Sequence, residues 1–362
     1  MDFTLNQTQR EIADLAAHIL DRAGEQAAAE GWRAIVDGGL LALALPEQFG
    51  GDGLGLVEAA VVLTEVGRRA LPVPVLATLA LGALPLARHG TPEQQEVFLP
   101  RVAKEGLVLT AALHEPSQPL PARPRTLARR DGDLLVVTGT KIGVPYADRA
   151  ERVLVPVTVP AAGVGLLIVD PRARGASVTE APSAGHEPHQ RLALNDVVVP
   201  ACDLVGGRLG GEAVRDLYRF AVIAAGVTAD GLLAGALALT AAHVAGRRQF
   251  GRPLATLPAV AQQIADVYIG SRTLNLAAWS ACWRLAEGRD PGPDPAVAAH
   301  WVAEQLRPAL ATCHHLHGGL GLDQSYPLHR FSAAATELTR LVGGPERALE
   351  LLGDELFGPR EG

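Results

Sequence analysis

Arg247, Arg248, Gln249, Phe250 and Gly251 interrupt a long Ala/Leu-rich pattern that runs up to Ala245 and Gly246. Two guanidiniums, an aromatic ring and a glycine at a helix end make a poor core. They make a good place to hold an anion beside a flat ring system, because a guanidinium is permanently charged and pairs two oxygens at once. The plainer alternative is a solvated arginine pair at the negative end of a helix dipole. A second stretch, Cys313-His314-His315-Leu316-His317, places Cys313 and His317 on one helix face, and Gly318 and Gly319 follow it. No second ligand group accompanies that pair, so no metal site is expected. Several acids lie near these stretches in sequence: Glu212, Asp216, Asp230, Glu337 and Glu346. They read as exposed, solvated helix faces rather than as a general base.

Composition narrows the partners. The 362 residues are 48% hydrophobic and 20% charged, with 4% aromatics, which is the profile of a soluble globular chain with a large core of Leu, Val and Ala. Such a core favours helices that approach closely. A net charge of −7 argues against a general nucleic-acid binder and against an anionic-membrane binder. Lysine appears only at Lys104 and Lys141. Cys202, Cys282 and Cys313 are widely spaced and odd in number, so a reducing cytoplasm is expected rather than a disulfide framework. The first twenty residues are amphipathic and carry acids, unlike a signal sequence. No apolar run of about 18 residues goes uninterrupted, so no transmembrane helix is expected.

The elements that must position these groups fall into three stretches. Residues 1–108 read as helices. Apolar residues at Ile12, Leu15, Ala16 and Ile19 keep the period of a helix face. A short helix covers 31–38, a glycine-rich loop 46–55 and an apolar helix 56–68. Thr91-Pro92-Glu93-Gln94 is a helix start, with Thr91 as the N-cap and Gln94 three residues on. Residues 109–207 change period: short Val/Leu/Thr-rich runs separated by Gly, Pro and Asp predict a β sandwich or barrel. The proline- and arginine-rich stretch 115–130 is expected to be irregular. Residues 208–362 are helical again, with one helix or two over 212–247 and others over 258–287, 295–315 and 346–356. The expected fold is mainly α with a central β domain, closed by a C-terminal four-helix bundle.

In this order, the motifs resemble those of the acyl-CoA dehydrogenase family, of the actinobacterial type. LALALPEQFGGDGLG, TPEQQEVFLPRVAKEG, HEP at 114–116, GDLLVVTGTKIGV, LNDVVVPACDLVG, RRQFGRPLATLPAVAQQIADV and HLHGGLGLDQSYPLHR match it across essentially the whole chain. The resemblance implies an FAD cofactor, an acyl-CoA thioester substrate and a tetramer in which a neighbour completes each FAD site. The family's reaction removes a proton α to the thioester carbonyl with a carboxylate and passes a hydride from the β carbon to the flavin. Carried over residue by residue, Arg247 matches the arginine that meets the FAD diphosphate across the subunit interface, Phe250 an aromatic packing on the cofactor, and Gly251 a close backbone approach. His315, Gly318 and Gly319 match the segment facing the adenylate part, with His315 where glutamine is common.

Other positions depart from the family. Gly343 stands where the catalytic glutamate usually sits, and Ala221, or Tyr218 in a shifted match, stands where some members carry it instead. His114 replaces the usual threonine before Glu-Pro. Gly143 and Pro145 replace a tryptophan and a small hydroxyl residue beside the flavin ring. Prolines in the following loop remove backbone donors. The half offered to a neighbour is kept and the chain's own half is eroded. This resembles the non-catalytic subunit of α2β2 steroid-type acyl-CoA dehydrogenases. Two other readings stay open: a self-sufficient homotetramer with a displaced base, and a non-redox acyl-CoA or acyl-carrier binding member.

Overall fold

A computed structural model of the chain describes residues 3–24, 26, 28–185 and 187–358. Helices come first: α1 (Gln7–Gly24), α2 (Ala28–Asp37), α3 (Leu56–Arg69), a π-helical segment Ala77–Ala83 that runs into α4 (Leu84–His89), and α5 (Pro92–Glu105). The strands follow: β1 (Leu109–Ala111), β2 (Leu127–Asp131), β3 (Leu134–Pro145), β4 (Arg152–Val159), β5 (Gly163–Val169), β6 (Ala176–Glu180) and β7 (His189–Pro200). Then come α6 (Glu212–Gly246), a two-strand ribbon of β8 (Arg248–Gln249) and β9 (Arg252–Pro253), α7 (Pro258–Ala286), α8 (Asp294–His317), α9 (Leu328–Leu341) and α10 (Gly344–Phe357). Helical ends around a central β region are the architecture expected from the sequence.

The chain forms two compact units. One holds the residues up to Asp21, Ala60–Pro72 and everything from Val222 on; the other holds Arg22–Ala59 and Val73–Ala221. In the first, α3 meets α6 backbone to backbone. A Cβ on Gly231 would fall inside the Thr64 carbonyl oxygen, and one on Gly67 inside that of Thr228. This is the close approach that a core poor in aromatics permits. By length and composition α6 would suffice to cross a membrane, yet 72% of its most apolar window is buried inside the protein, as in the core helix of a globular unit.

In the second unit the strands form one seven-stranded sheet, ordered β1-β4-β2-β3-β7-β6, with β5 on the other edge of β4. Val153 to Val159 of β4 are all buried, the near-continuous apolar run of a strand covered on both faces. β2 lies inside the stretch expected to be irregular. Its sequence, LARRD, has little strand character, and its order comes from full-length pairing with β3. The helix start at Thr91 forms as expected: Thr91 Oγ1 accepts the Gln94 N–H at 3.3 Å, and Gln94 Oε1 accepts the Thr91 N–H at 3.0 Å. The same Gln94 amide also donates to the carbonyls of Cys202 and Leu204, at 2.7 and 2.9 Å. α5 is thereby tied to the segment leaving the sheet.

Asp216, in the first turns of α6, is 4% exposed and meets Arg88, His89 and Arg219 at 2.9, 2.9 and 3.3 Å. Burial alone would raise its carboxyl, but the hydrogen bond with His89 and the guanidiniums of Arg88 and Arg219 outweigh burial and hold it below the ordinary value. The stabilisation is therefore complete above the unfolded carboxylate range, about pH 4, and is lost as the pH falls through the lower folded value. Asp216→Asn is expected to flatten the acid limb of the stability–pH curve, measured by urea unfolding. An unchanged acid limb would refute this.

Candidate functional site

The arginine stretch forms a two-residue hairpin. The Arg247 N–H donates to the His243 carbonyl at 2.8 Å, the last helical bond of α6. Arg248 pairs with Pro253 and Gln249 with Arg252, which leaves Phe250 and Gly251 as the turn. Both have positive φ, 53° and 74°, the pattern of a type I′ turn. Glycine takes that backbone freely; an addition at Gly251 would meet nothing within 4 Å. Within the chain its role is therefore conformational. Phenylalanine in the left-handed region is strained, and its ring is 87% exposed. A strained, uncovered aromatic beside a guanidinium is the kind of backbone outlier that binding sites keep. Arg248 Nη2 closes the turn by donating to the Gly251 carbonyl at 3.0 Å. Arg247 is exposed, and no carboxylate among the described residues pairs with it. It is fit to hold an anion.

The histidine-glycine stretch lies beside this hairpin, joined by a contact that the sequence did not reveal. His243 on α6 stacks on His317 at the end of α8, ring centroids 4.5 Å apart. The only sequence signal for it is a histidine one helical turn before Arg247. His315, Gly318 and Gly319 are exposed, and Gly318 ends α8 at φ 60°. Leu322, 82% exposed, extends the same uncovered segment. Cys313 and His317 do not form a ligand pair. The Cys313 thiol is pushed up by burial, and both His317 nitrogens are engaged, with the Cys313 carbonyl and the Tyr326 hydroxyl. Among the described residues no three His, Cys, Asp or Glu side chains gather to hold a metal.

Several polar groups of the β-region half are committed inward. Glu115, 2% exposed, receives Lys141 Nζ at 2.8 Å, the Thr126 hydroxyl at 2.6 Å, and the N–H groups of Thr126 and Arg125 at 2.8 and 2.6 Å. Lys141 is fully buried, and burial pushes its ammonium down to about 8 against the pull of Glu115. Glu115 and Gln118 exchange backbone bonds, the Ile142 N–H donates to His114, the Tyr146 N–H to Pro188, and the Ala147 N–H to the Gln190 side chain. Pro116, Pro119, Pro121 and Pro124 have no N–H to offer. Tyr218 ties this loop down by donating to the Pro121 carbonyl at 3.0 Å. Gly143 sits in a register shift of β3 at φ 61°. A tryptophan there would be strained by the backbone itself.

The two positions where the resemblance implies a base carry no acid. Ala221 is fully buried in α6, and Gly343 turns the chain between α9 and α10 at φ 91°. The acids near the motifs correct one expectation. Glu212 and Glu346 are exposed helix acids, but Asp216, Asp230 and Glu337 are buried. Burial is tolerated because partners are present: His89 and the two guanidiniums around Asp216, and for Asp230 the Asn275 amide at 2.7 Å and the Trp279 indole N–H at 3.2 Å. Burial raises the Asp230 carboxyl, and these two donors only partly offset it.

Comparison with known proteins covers both ends of the chain. Residues 5–106 match the model of the acyl-CoA dehydrogenase N-terminal domain and residues 216–356 that of the C-terminal domain. Acyl-CoA dehydrogenase FadE28 of Mycobacterium tuberculosis is 45% identical over 98% of this chain and 98% of its own length. The crystal structure of the ChsE4-ChsE5 complex from Mycobacterium tuberculosis superposes with a TM-score of 0.91 at 31% identity, over 99% of this chain and 100% of that one. The Tcur3481-Tcur3483 steroid ACAD G363A variant gives 0.89 at 35% identity, over 97% and 98%.

Proposed function

The chain belongs to the acyl-CoA dehydrogenase family, and from that premise we propose that it is the non-catalytic subunit of an FAD-dependent enzyme of α2β2 type. In this reading residues 1–108, 109–207 and 208–362 are the family's three domains, and the chain works in the cytoplasm. The observation that carries the proposal is the inward commitment of the β-region donors: the N–H groups of Ile142, Tyr146 and Ala147 already have partners inside the chain. These three donors are not free to hold a flavin ring, whereas the exposed Arg247 hairpin is ready to hold a diphosphate.

FAD, when bound, supplies the hydride acceptor. Arg247 binds and orients the diphosphate of a flavin held mainly by a partner subunit. Phe250 covers the cofactor, and His315, Gly318 and Gly319 line its adenylate side. The base comes from the partner, because Gly343 and Ala221 have no proton acceptor. Two of the relatives are named as complexes of two different chains, one of them a steroid ACAD. That supports a paralogous partner and an acyl-CoA with a bulky steroid-derived group.

The test is flavin stoichiometry. Purified with the paralogue that assembles with it, the chain is expected to carry one FAD per two chains, and purified alone it is expected to be colourless. A yellow chain that reduces its own flavin with an acyl-CoA overturns the proposal. A second reading rests on Asp230, whose raised carboxyl would suit a displaced base in a homotetramer. It requires Asp230→Asn to abolish flavin reduction while flavin stays bound.

A further inference from the structure

The stack beside Arg247 has one fixed ring and one open ring. His317 is the fixed one. A carbonyl only accepts, so Nδ1 must donate to Cys313 O at 2.8 Å, and Nε2 is engaged with the Tyr326 hydroxyl at 3.0 Å. The Tyr326 ring packs against it with centroids 5.2 Å apart. His317 has no nitrogen left for a ligand and serves as a platform. His243 lies on that platform at an interplanar angle of 21°. It is half-buried, and neither of its nitrogens is hydrogen-bonded among the described residues. It stands one helical turn before Arg247, the spacing at which side chains on a helix are neighbours.

We infer that His243 is a second ligand for the anion held by Arg247, so that the chain grips the diphosphate of a dinucleotide with a guanidinium and an imidazolium and grips it harder as the pH falls. This rests on the reading of Arg247 given above. Without an anion, burial first, then His317 and Arg247, all work against a proton on His243. A diphosphate beside Arg247 reverses that balance, because it offsets the guanidinium and favours the charged ring. The titratable groups around the stack are Arg247 on α6, Cys313, His314 and His317 on α8, Tyr326 in the loop that follows, and His329 on α9. None is a carboxylate that would hold His243 charged in advance. Burial pushes the Cys313 thiol up and the His314 imidazole down, which disfavours charge on both. An extra proton therefore enters with the anion, and affinity must rise as the pH falls.

FAD itself is the probe, because its diphosphate diester keeps its charge across the range where histidine titrates. It is added to the flavin-stripped complex of the full chain with its paralogous partner, at about pH 6 and about pH 8, and binding is followed by flavin fluorescence. The native chain is expected to bind roughly fivefold tighter at the lower pH, the size of one further charge contact across solvent. Calorimetry in two buffers of different ionisation heat is expected to show proton uptake on binding. His243→Phe, which keeps a stacked ring, should bind equally at both pH values without that uptake, and His243→Lys should bind tightly at both. The inference is overturned if His243→Phe keeps the native pH response, or if the native chain takes up no proton. A different result marks failure of the Arg247 reading instead: FAD affinity that Arg247→Gln leaves unchanged at both pH values.

Discussion

Arg247→Gln is expected to weaken FAD retention by the assembled enzyme roughly 30- to 150-fold, the loss that follows from removing a charge-assisted pair worth about 2–3 kcal/mol. The effect is large because the guanidinium is exposed and no carboxylate among the described residues competes for it. None of its favourable electrostatics is spent within the chain. For the same reason the flavin-free variant should melt with the native chain: an exposed, unpaired arginine at a helix end contributes only a few tenths of a kcal/mol through the dipole. Arg247→Lys separates charge from geometry. It keeps the positive charge, loses the two-pronged donor, and should fall between the native chain and Arg247→Gln. Equilibrium dialysis of FAD against the three proteins measures this. Equal retention by all three would remove Arg247 from the site.

The second large effect lies in the sheet. Glu115→Gln leaves Lys141 buried without its counter-charge and replaces one acceptor oxygen by a donor among four donors. Breaking a buried pair on one side costs about 3–5 kcal/mol. That corresponds to a midpoint lowered by roughly 6–20 °C for a cooperative unit of this size. The double variant Glu115→Gln with Lys141→Met should be less damaged than Glu115→Gln alone, since no charge then remains buried. Calorimetric melts of the two decide it, and a single variant that melts with the native chain would rule the account out. The pH response has a definite sign. The Lys141 folded value, about 8, lies below its ordinary 10.5. Across that interval the unfolded chain holds more protons, so this group's contribution to stability rises with pH. Lys141→Met should remove that rise.

Which parts were legible in the sequence follows from how local their causes are. The capping box at Thr91, the apolar face of α1 and the alternating or continuous apolar strands β3, β4 and β7 are written in neighbouring residues, and they form as read, except that Leu15 on the α1 face is 46% exposed. The 35 residues of α6 run unbroken, because two glycines that weaken a helix alone, Gly231 and Gly235, gain a packing role against α3. β2, with its Arg-Arg-Asp end, owes its order to β3, a partner no local pattern names. The inward commitment of the β-region donors was visible only as prolines. That Ala147 donates to Gln190, 43 positions away, depends on the fold. The same holds for the His243–His317 stack and for Asp230, whose donors come from α7. Charged residues read as solvated whenever their partners are distant in the chain.

The α3–α6 crossing bears on how variation in this chain is to be interpreted. Gly67, Gly231 and Gly235 each face a carbonyl of the opposite helix, so the object in the way of any new methyl is main chain, which cannot change rotamer. In a saturation-mutagenesis map these positions should stand out as intolerant as Arg247 does, although they touch no ligand. The two kinds of intolerance differ in what they deplete. Substitutions at the seam lower the amount of protein, whereas those at the hairpin leave the protein abundant and the flavin missing. Scoring abundance and cofactor content separately would therefore sort architecture from binding.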